Sequence, residues 1–317
     1  MSVTDRRMKV GLRLPTSEKD SADAIRWSDI RDIAILAEDV GFDSLWVVDH
    51  FLYQLDGASR PDGLWEAWSV LSAVAACTKT VELGTLVLGM GFRNPALLAK
   101  MADTVEEISG GRLILGVGAG YHEIEYRAFG FPYDHRYGRF EEAIEIVHGL
   151  LRNGEIDFIG KYYQARECVL RPRGPRPEGP PIMFGTTGHK MLRLTAKYGD
   201  MWNAYWDDTT NSPQGVARLR KIVDEACEEV GRDPATLERS VTVLTADPDA
   251  RPWWKDMPTS YDGLSLEPLS GDTGEIAEEL LAYRREGISH VQINMDQLTT
   301  DAVEQFAPVL ELLKKAT

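Results

Sequence analysis

VELGTLVLGMGFRNPALLAKMADTVEEISGGRLILGVG, residues 81–118, decides how this chain folds. It opens on an apolar run of strand length, 81–88, and closes on another, 112–118. The stretch between them, 94–111, reads as a helix: Asn94 is placed to cap it, Pro95 suits the first helical position, and Gly110–Gly111 stop it. Strand, helix and second strand in this order form a crossover unit of a parallel sheet.

The same rhythm runs outward in both directions. Upstream lie strands 9–14 and 44–48, with helices at 28–41 and 64–78. The first of these helices carries Ile30, Ile33, Ala34, Ala37 and Val40 on one face and ends at Gly41. Downstream, helices 136–154, 188–199, 213–231, 273–287 and 301–316 alternate with strands 181–185, 201–206, 240–246 and 289–294. Eight strand–helix units predict an α/β fold, a (β/α)8 barrel spanning 1–317 as a single domain, over an open doubly wound sheet. Two insertions break the rhythm. Residues 155–181, after the fourth helix, read as a hairpin turning at Gly160–Lys161 and then a Pro/Gly/Arg connector. Residues 247–271, before the seventh helix, form a long polar and aromatic stretch of the length used for lids and binding loops.

Composition narrows the function. A net charge of −15 argues against nucleic acid and anionic membrane as general partners. No apolar run approaches the roughly 18 residues of a membrane span, and the N-terminus lacks the apolar stretch of a signal peptide. Cys77, Cys168 and Cys227 are scattered, which fits a reducing cytoplasm and supplies no metal spacing. The expectation is a cytoplasmic protein acting on a small molecule.

In a parallel barrel, ligands sit at the carboxyl ends of the strands. Asp49, His50 and Phe51 follow the second strand, GMGFRN (89–94) the third, GVGAGYHEIEY (116–126) the fourth, GTTGHK (185–190) the fifth, and Asn203, Tyr205 and Trp206 the sixth. GTTGHK runs straight into a helix and offers the hydroxyls of Thr186 and Thr187, as an anion site would. GVGAGYH lacks the later glycine and acidic residue of a dinucleotide fingerprint. Two readings of Asp49–His50 stand side by side: an acid capping the next turn beside a partly exposed histidine, or an imidazole placed to move a proton. His122, Glu123 and Glu125 match no strong metal pattern and read as a hydrogen-bonding loop, so no metal is expected. Leu64, Trp68 and Leu71 have the spacing of a core-facing stripe, with Trp65 nearer the loop.

The phrases GTLV…FRNPALLAKMA, SGGRLILGVGAGY and EYRAFGFP…RFEEAIEI, within 66–151, resemble the bacterial-luciferase-like monooxygenase superfamily, and within it the F420-dependent oxidoreductases. The resemblance extends over nearly the whole chain. It implies a TIM barrel that binds coenzyme F420 at its C-terminal face and transfers a hydride between the deazaflavin and a small organic substrate. An FMN-dependent monooxygenase is the alternative, and a non-catalytic flavin-binding protein a third. By the same likeness His50 faces the ring as proton donor or acceptor, with Asp49 beside it, and a non-prolyl cis peptide at Leu86–Val87 lies behind the ring. Gly118, Ala119, Gly120, Tyr121 and His122, with Gly185, Thr186, Thr187 and Gly188, match the cofactor contacts, and dimers are common. Trp65, Tyr205, Trp206 and Trp253 are expected to wall the substrate pocket, and Arg136, Arg139, Lys190 and Arg193 to offset the cofactor's charge. Sugar-phosphate dehydrogenases of the family carry a catalytic glutamate where this chain has Tyr121, which speaks against a glucose-6-phosphate reaction.

Overall fold

The computed structural model describes residues 7–18, 25–54, 59–246, 260–261 and 264–316. Eight strands carry the architecture: β1 (Lys9–Arg13), β2 (Ser44–Val47), β3 (Glu82–Thr85), β4 (Leu113–Gly118), β5 (Ile182–Gly185), β6 (Met201–Ala204), β7 (Glu238–Thr245) and β8 (His290–Met295). Each pairs in parallel with the next, and β8 pairs with β1 in the register Lys9↔His290 to Leu12↔Ile293, which closes the ring. Helices α1 (Trp27–Val40), α2 (Ala67–Cys77), α3 (Pro95–Ser109), α4 (Arg136–Asn153), α5 (His189–Tyr198), α6 (Pro213–Glu229), α7 (Thr273–Arg285) and α8 (Thr300–Lys315) follow the strands in turn. This is the expected (β/α)8 TIM barrel. Among the described residues no helix is long and apolar enough to cross a membrane.

Strand alternation sorts the side chains into two cores. Val10, Leu12, Leu45, Val47, Leu83, Leu113, Leu115 and their equivalents face the helices and belong to one large buried cluster. The barrel interior is built around Trp46, which is fully buried. A Cβ on Gly11 would lie 2.4 Å from the Trp46 ring nitrogen, and one on Gly84 would lie 2.1 Å from the ring carbons, so both neighbouring strands need glycine there. Trp46, Leu86, Ile114, Met183 and Met201 make the interior apolar on one side. The other side is polar: Ser44 Oγ lies 2.7 Å from His290 Nε2, and Asn203 donates to Ser240 and Gln292 at 3.1 and 2.9 Å. Burial, with Lys9 nearby, lowers His290 to about 3, so this imidazole stays neutral at ordinary pH.

The strand–helix–strand unit at 81–118 forms largely as its sequence dictates. Asn94 accepts from the amides of Ala96 and Leu97, Pro95 opens α3, and Gly110 closes it at φ 67°. Three local expectations need correction. The helix expected at 64–78 begins at Ala67, because Glu66 caps it by accepting from Trp68 and Ser69; Leu64 instead bridges Ser17. The strand expected at 81–88 stops at Thr85; the cis peptide expected at Leu86–Val87 is present there, and pairing with β4 resumes at Leu88–Gly89. The loop expected at 122–126 winds into a short helix, Glu123–Phe129.

The first insertion contains the expected hairpin, Glu155–Ile159 against Gln164–Val169. Arg173 and Arg176 of its connector pair with the buried Asp103 and Glu106 of α3. Most of the second insertion, with Trp253 and Trp254, lies outside the described residues.

Candidate active site

The C-terminal mouth of the barrel gathers the loops after β2, β3, β4, β5 and β6. Its floor is the Leu86–Val87 step. Leu86 joins the apolar interior, and Val87 stands between β4 and β5. A Cβ on Gly118 would come within 2.8 Å of Val87 Cγ2, and one on Gly185 within 2.9 Å of Val87 Cγ1. These two glycines leave room for Val87, and together they make a low, apolar platform open to the mouth.

His50 follows β2 at the same end of the barrel, with its ring against Tyr53, Tyr121 and His122. Its Nδ1 lies 2.7 Å from Glu125 Oε1, and its side chain is 21 % exposed while that of Glu125 is 1 % exposed. Glu125 also accepts the Phe51 amide through Oε2 at 2.9 Å. As a carboxylate Glu125 only accepts, so Nδ1 carries the proton, and Nε2 has no hydrogen-bond partner among the described residues. The short helix Glu123–Phe129 is what brings Glu125 beneath the histidine. A second weld holds the same two loops: the Gln54 amide donates to His122 Nε2 at 3.1 Å, and the His122 ring stacks on Tyr53 at 4.7 Å. His50 is therefore a fixed imidazole with one nitrogen tied and one open.

Asp49, the neighbour of His50 in sequence, points elsewhere. It is 3 % exposed, and Arg93 grips both its oxygens at 2.7 and 2.9 Å while the Gly89 amide donates to Oδ2 at 3.0 Å. Arg93 also donates to Glu66 at 2.6 Å, so one guanidinium ties the ends of β2 and β3 to the start of α2. Burial pushes the Asp49 carboxyl up, against the pull of Arg93 and the Gly89 amide. Burial works against the Arg93 charge too, but Asp49 and Glu66 outweigh it and raise Arg93 further. Asp49 thus fixes the strand end that carries His50 and has no free oxygen to offer a ligand.

The two glycine loops are pinned from below. Gly120 sits at φ 71°, a Cβ there would meet the Tyr126 hydroxyl at 1.9 Å, and its carbonyl accepts from Arg136 at 2.6 Å. Tyr126 donates to the Ala119 carbonyl and Tyr133 to that of Tyr121. In the other loop, Thr187 donates to Asp208 at 3.3 Å, Thr186 Oγ1 accepts the Gly188 amide at 3.4 Å, and Gly188 caps α5. Of the four cations expected to offset an anionic cofactor, Arg136 and Arg139 are committed to loop carbonyls and Asp134, and Arg193 pairs with Glu229. Lys190 lies over the Tyr137 ring on the exposed start of α5.

The aromatic residues expected at the mouth differ in exposure. Tyr205 packs against the apolar interior, and Tyr121 meets His50 edge-on at 5.7 Å with 60 % of its surface exposed. Trp65 is on the rim, 55 % exposed, with its ring nitrogen donating to the Ile25 carbonyl. Trp206 stands behind the wall: it is 2 % exposed and buried with Leu244 and Leu266, where its indole is out of water. Trp253 is among the residues not described.

Sequence reading singled out neither Arg93 nor Asp207. Asp207 follows Tyr205 at the end of β6, with Oδ1 accepting the Asp208 amide at 2.9 Å. Burial, then the neighbouring Asp208 charge, raise it from 3.8 to about 6. The folded protein therefore holds a proton there that the unfolded chain has lost, and this contribution to stability falls as the pH rises between those two values. Asp207→Asn keeps an oxygen for the Asp208 amide. It should gain roughly 1–2 kcal/mol over wild type above about pH 7. In paired urea melts that gain should shrink as the pH falls and vanish below about 3.8.

Comparison with known proteins agrees with this architecture. A family model described as luciferase-like monooxygenase matches residues 8–253. An F420-dependent glucose-6-phosphate dehydrogenase from Amycolatopsis mediterranei is 36 % identical over 246 residues, covering 74 % of this chain and 70 % of its own length. A 5,10-methylenetetrahydromethanopterin reductase from Archaeoglobus fulgidus is 34 % identical over 165 residues, 52 % of this chain and 45 % of its own. Among solved structures, an F420-dependent secondary alcohol dehydrogenase superposes with a TM-score of 0.77 at 22 % identity, covering 97 % of this chain and 99 % of its own. A monooxygenase from Streptomyces bottropensis superposes with a TM-score of 0.73 at 19 % identity, covering 97 % and 98 %. The barrel, the site at its mouth and the match over most of the sequence converge: this chain belongs to the luciferase-like monooxygenase family.

Proposed function

We propose that this protein binds coenzyme F420 on the Leu86–Val87 platform and works as an oxidoreductase on a small organic substrate, with His50 handling the substrate proton. The observation that carries the reading is the His50–Glu125 pair, one imidazole nitrogen held at 2.7 Å and the other without a hydrogen-bond partner among the described residues. The platform fits a flat ring system: it is apolar, and two glycines clear the space around Val87. The F420-dependent relatives support the choice of cofactor.

When bound, F420 supplies two-electron hydride transfer and little oxygen activation. The chain's own residues do the rest. Val87 and Leu86 support the ring. Glu125 holds His50 in one tautomer, so that Nε2 faces the substrate and accepts a proton during oxidation or, once protonated, returns it during reduction. Tyr205 and Tyr121 shield the site from water. The loops at Gly118–His122 and Gly185–Gly188, with Lys190 beside them, take the cofactor's polar tail.

Reduced F420 should be reoxidised by members of a panel of ketones and enones, or oxidised F420 reduced by members of a panel of alcohols, in a substrate-dependent way, equally with and without oxygen. Turnover that needs oxygen and places an oxygen atom in the product would instead make the protein a monooxygenase.

A further inference from the structure

The polar side of the barrel interior leaves three hydrogen-bonding atoms without a partner. Ser240 and Thr242 on β7 and His290 and Gln292 on β8 face inward, opposite in parity to Val241, Val243, Val291 and Ile293 of the outer core. Register pairs Ser240 with His290 and Thr242 with Gln292, so the four side chains form one block on two neighbouring strands. All four are 0 % exposed. Within this block His290 Nδ1, Gln292 Nε2 and Thr242 Oγ1 have no hydrogen-bond partner among the described residues. Buried polar atoms are nearly always paired, with protein or with ordered water, so three unpaired atoms side by side point to a ligand.

The bonds at the other ends of these groups fix what the three atoms offer. Trp46 Nε1 only donates, and it occupies one lone pair of Ser44 Oγ at 2.7 Å. The Ser44 hydroxyl therefore gives its proton to His290 Nε2, also at 2.7 Å, and the neutral ring carries its own proton on Nδ1. Asn203 Nδ2 donates to Gln292 Oε1 at 2.9 Å, which turns the Gln292 NH2 the other way. The Ser240 hydroxyl is committed to the Trp202 carbonyl at 3.0 Å and serves neither group. The block thus presents two N–H donors and a hydroxyl that can accept.

We propose that a resident water molecule sits between β7 and β8, accepting from His290 Nδ1–H and the Gln292 amide and donating to Thr242 Oγ1. Three bonds are the usual complement of a buried water. Neighbouring strands lie about 4.8 Å apart and a two-residue step rises about 6.6 Å, spans that one molecule bonded at roughly 2.8 Å on each side can bridge between side chains. The N–H donors exclude a cation. An anion would be buried without a counter-charge: Lys9, the cation that acts on His290, is tied to Glu82 at 2.7 and 2.8 Å. The water joins β7 to β8 inside the barrel. It makes this side a hydrated polar core beside the apolar one of Leu86, Ile114, Met183 and Met201. The site is independent of the F420 reading.

The test has two arms. In the first, Thr242→Val in the full chain keeps the side-chain shape and removes the hydroxyl. With water at the site the variant loses a hydrogen bond, and its unfolding constant in urea should rise roughly 3- to 10-fold. Without water it sheds a buried unpaired hydroxyl, and the constant should fall. The second arm is a crystal structure of the wild type fine enough to show ordered water, with and without a bromide soak. One water peak within about 3.2 Å of His290 Nδ1, Gln292 Nε2 and Thr242 Oγ1 is expected, with no anomalous bromide signal there. A stability gain or no change in Thr242→Val, no density between the three atoms, or bromide in that place each overturns the proposal. The wild-type crystal decides by itself should Thr242→Val fail to fold.

Discussion

Replacing Arg93 with methionine should destabilise the fold by about 3–5 kcal/mol, because it leaves a buried carboxylate without its counter-charge. Asp49 has 0 % of its side chain exposed and Arg93 only 9 %, so water cannot take over the lost contacts. The same guanidinium anchors Glu66 at the start of α2, and the loss should also loosen that cap. The double variant Arg93→Met with Asp49→Asn should recover part of the deficit, since a neutral amide is less costly to bury. Urea denaturation of both variants at neutral pH measures this. A loss under about 1 kcal/mol for Arg93→Met would show that the pair is dispensable.

His50→Ala should lower turnover about 10²- to 10⁴-fold, the usual range for removing a positioned acid–base group. Affinity for F420 should stay near wild type, because the platform of Leu86, Val87 and the flanking glycines is untouched. Glu125→Gln should have a smaller effect on rate, since the amide oxygen can still accept from Nδ1. If His50→Ala turns over as well as wild type, the histidine shapes the pocket and moves no proton.

Much of this architecture is legible in the sequence. Alternating apolar runs and well-marked helix ends, such as Asn94–Pro95 and Gly110 on α3, are local signals, and they survive folding unchanged. What the sequence hid is of two kinds. One is backbone geometry: apolar spacing alone does not show where β3 halts, which only the resemblance marked at Leu86–Val87, and Leu64–Trp65 look helical although Glu66, an uncommon cap, starts α2. A seven-residue helix such as Glu123–Phe129 is too short to show a period.

The other kind is long-range pairing. His50 and Glu125 are 75 residues apart, and Asp49 and Arg93 are 44 apart. Linear spacing presents Asp49 and His50 as a pair, yet the strand end sends them to different partners. A lone arginine in the apolar stretch GMGFRN was the one available sign of Arg93, since a charge at a strand end commonly has a buried partner. Glu125 drew notice as part of a hydrogen-bonding loop, with no sign of which residue it would hold. The role of Gly118 and Gly185 also changes: both clear space for Val87, which a reading of the loops as anion cradles does not show.

The most direct test of the account is a fluorescence titration of the purified protein with F420 and, separately, with FMN. Saturable, tight binding of F420 is expected, with FMN binding far weaker. Tight FMN binding with no affinity for F420 would contradict it.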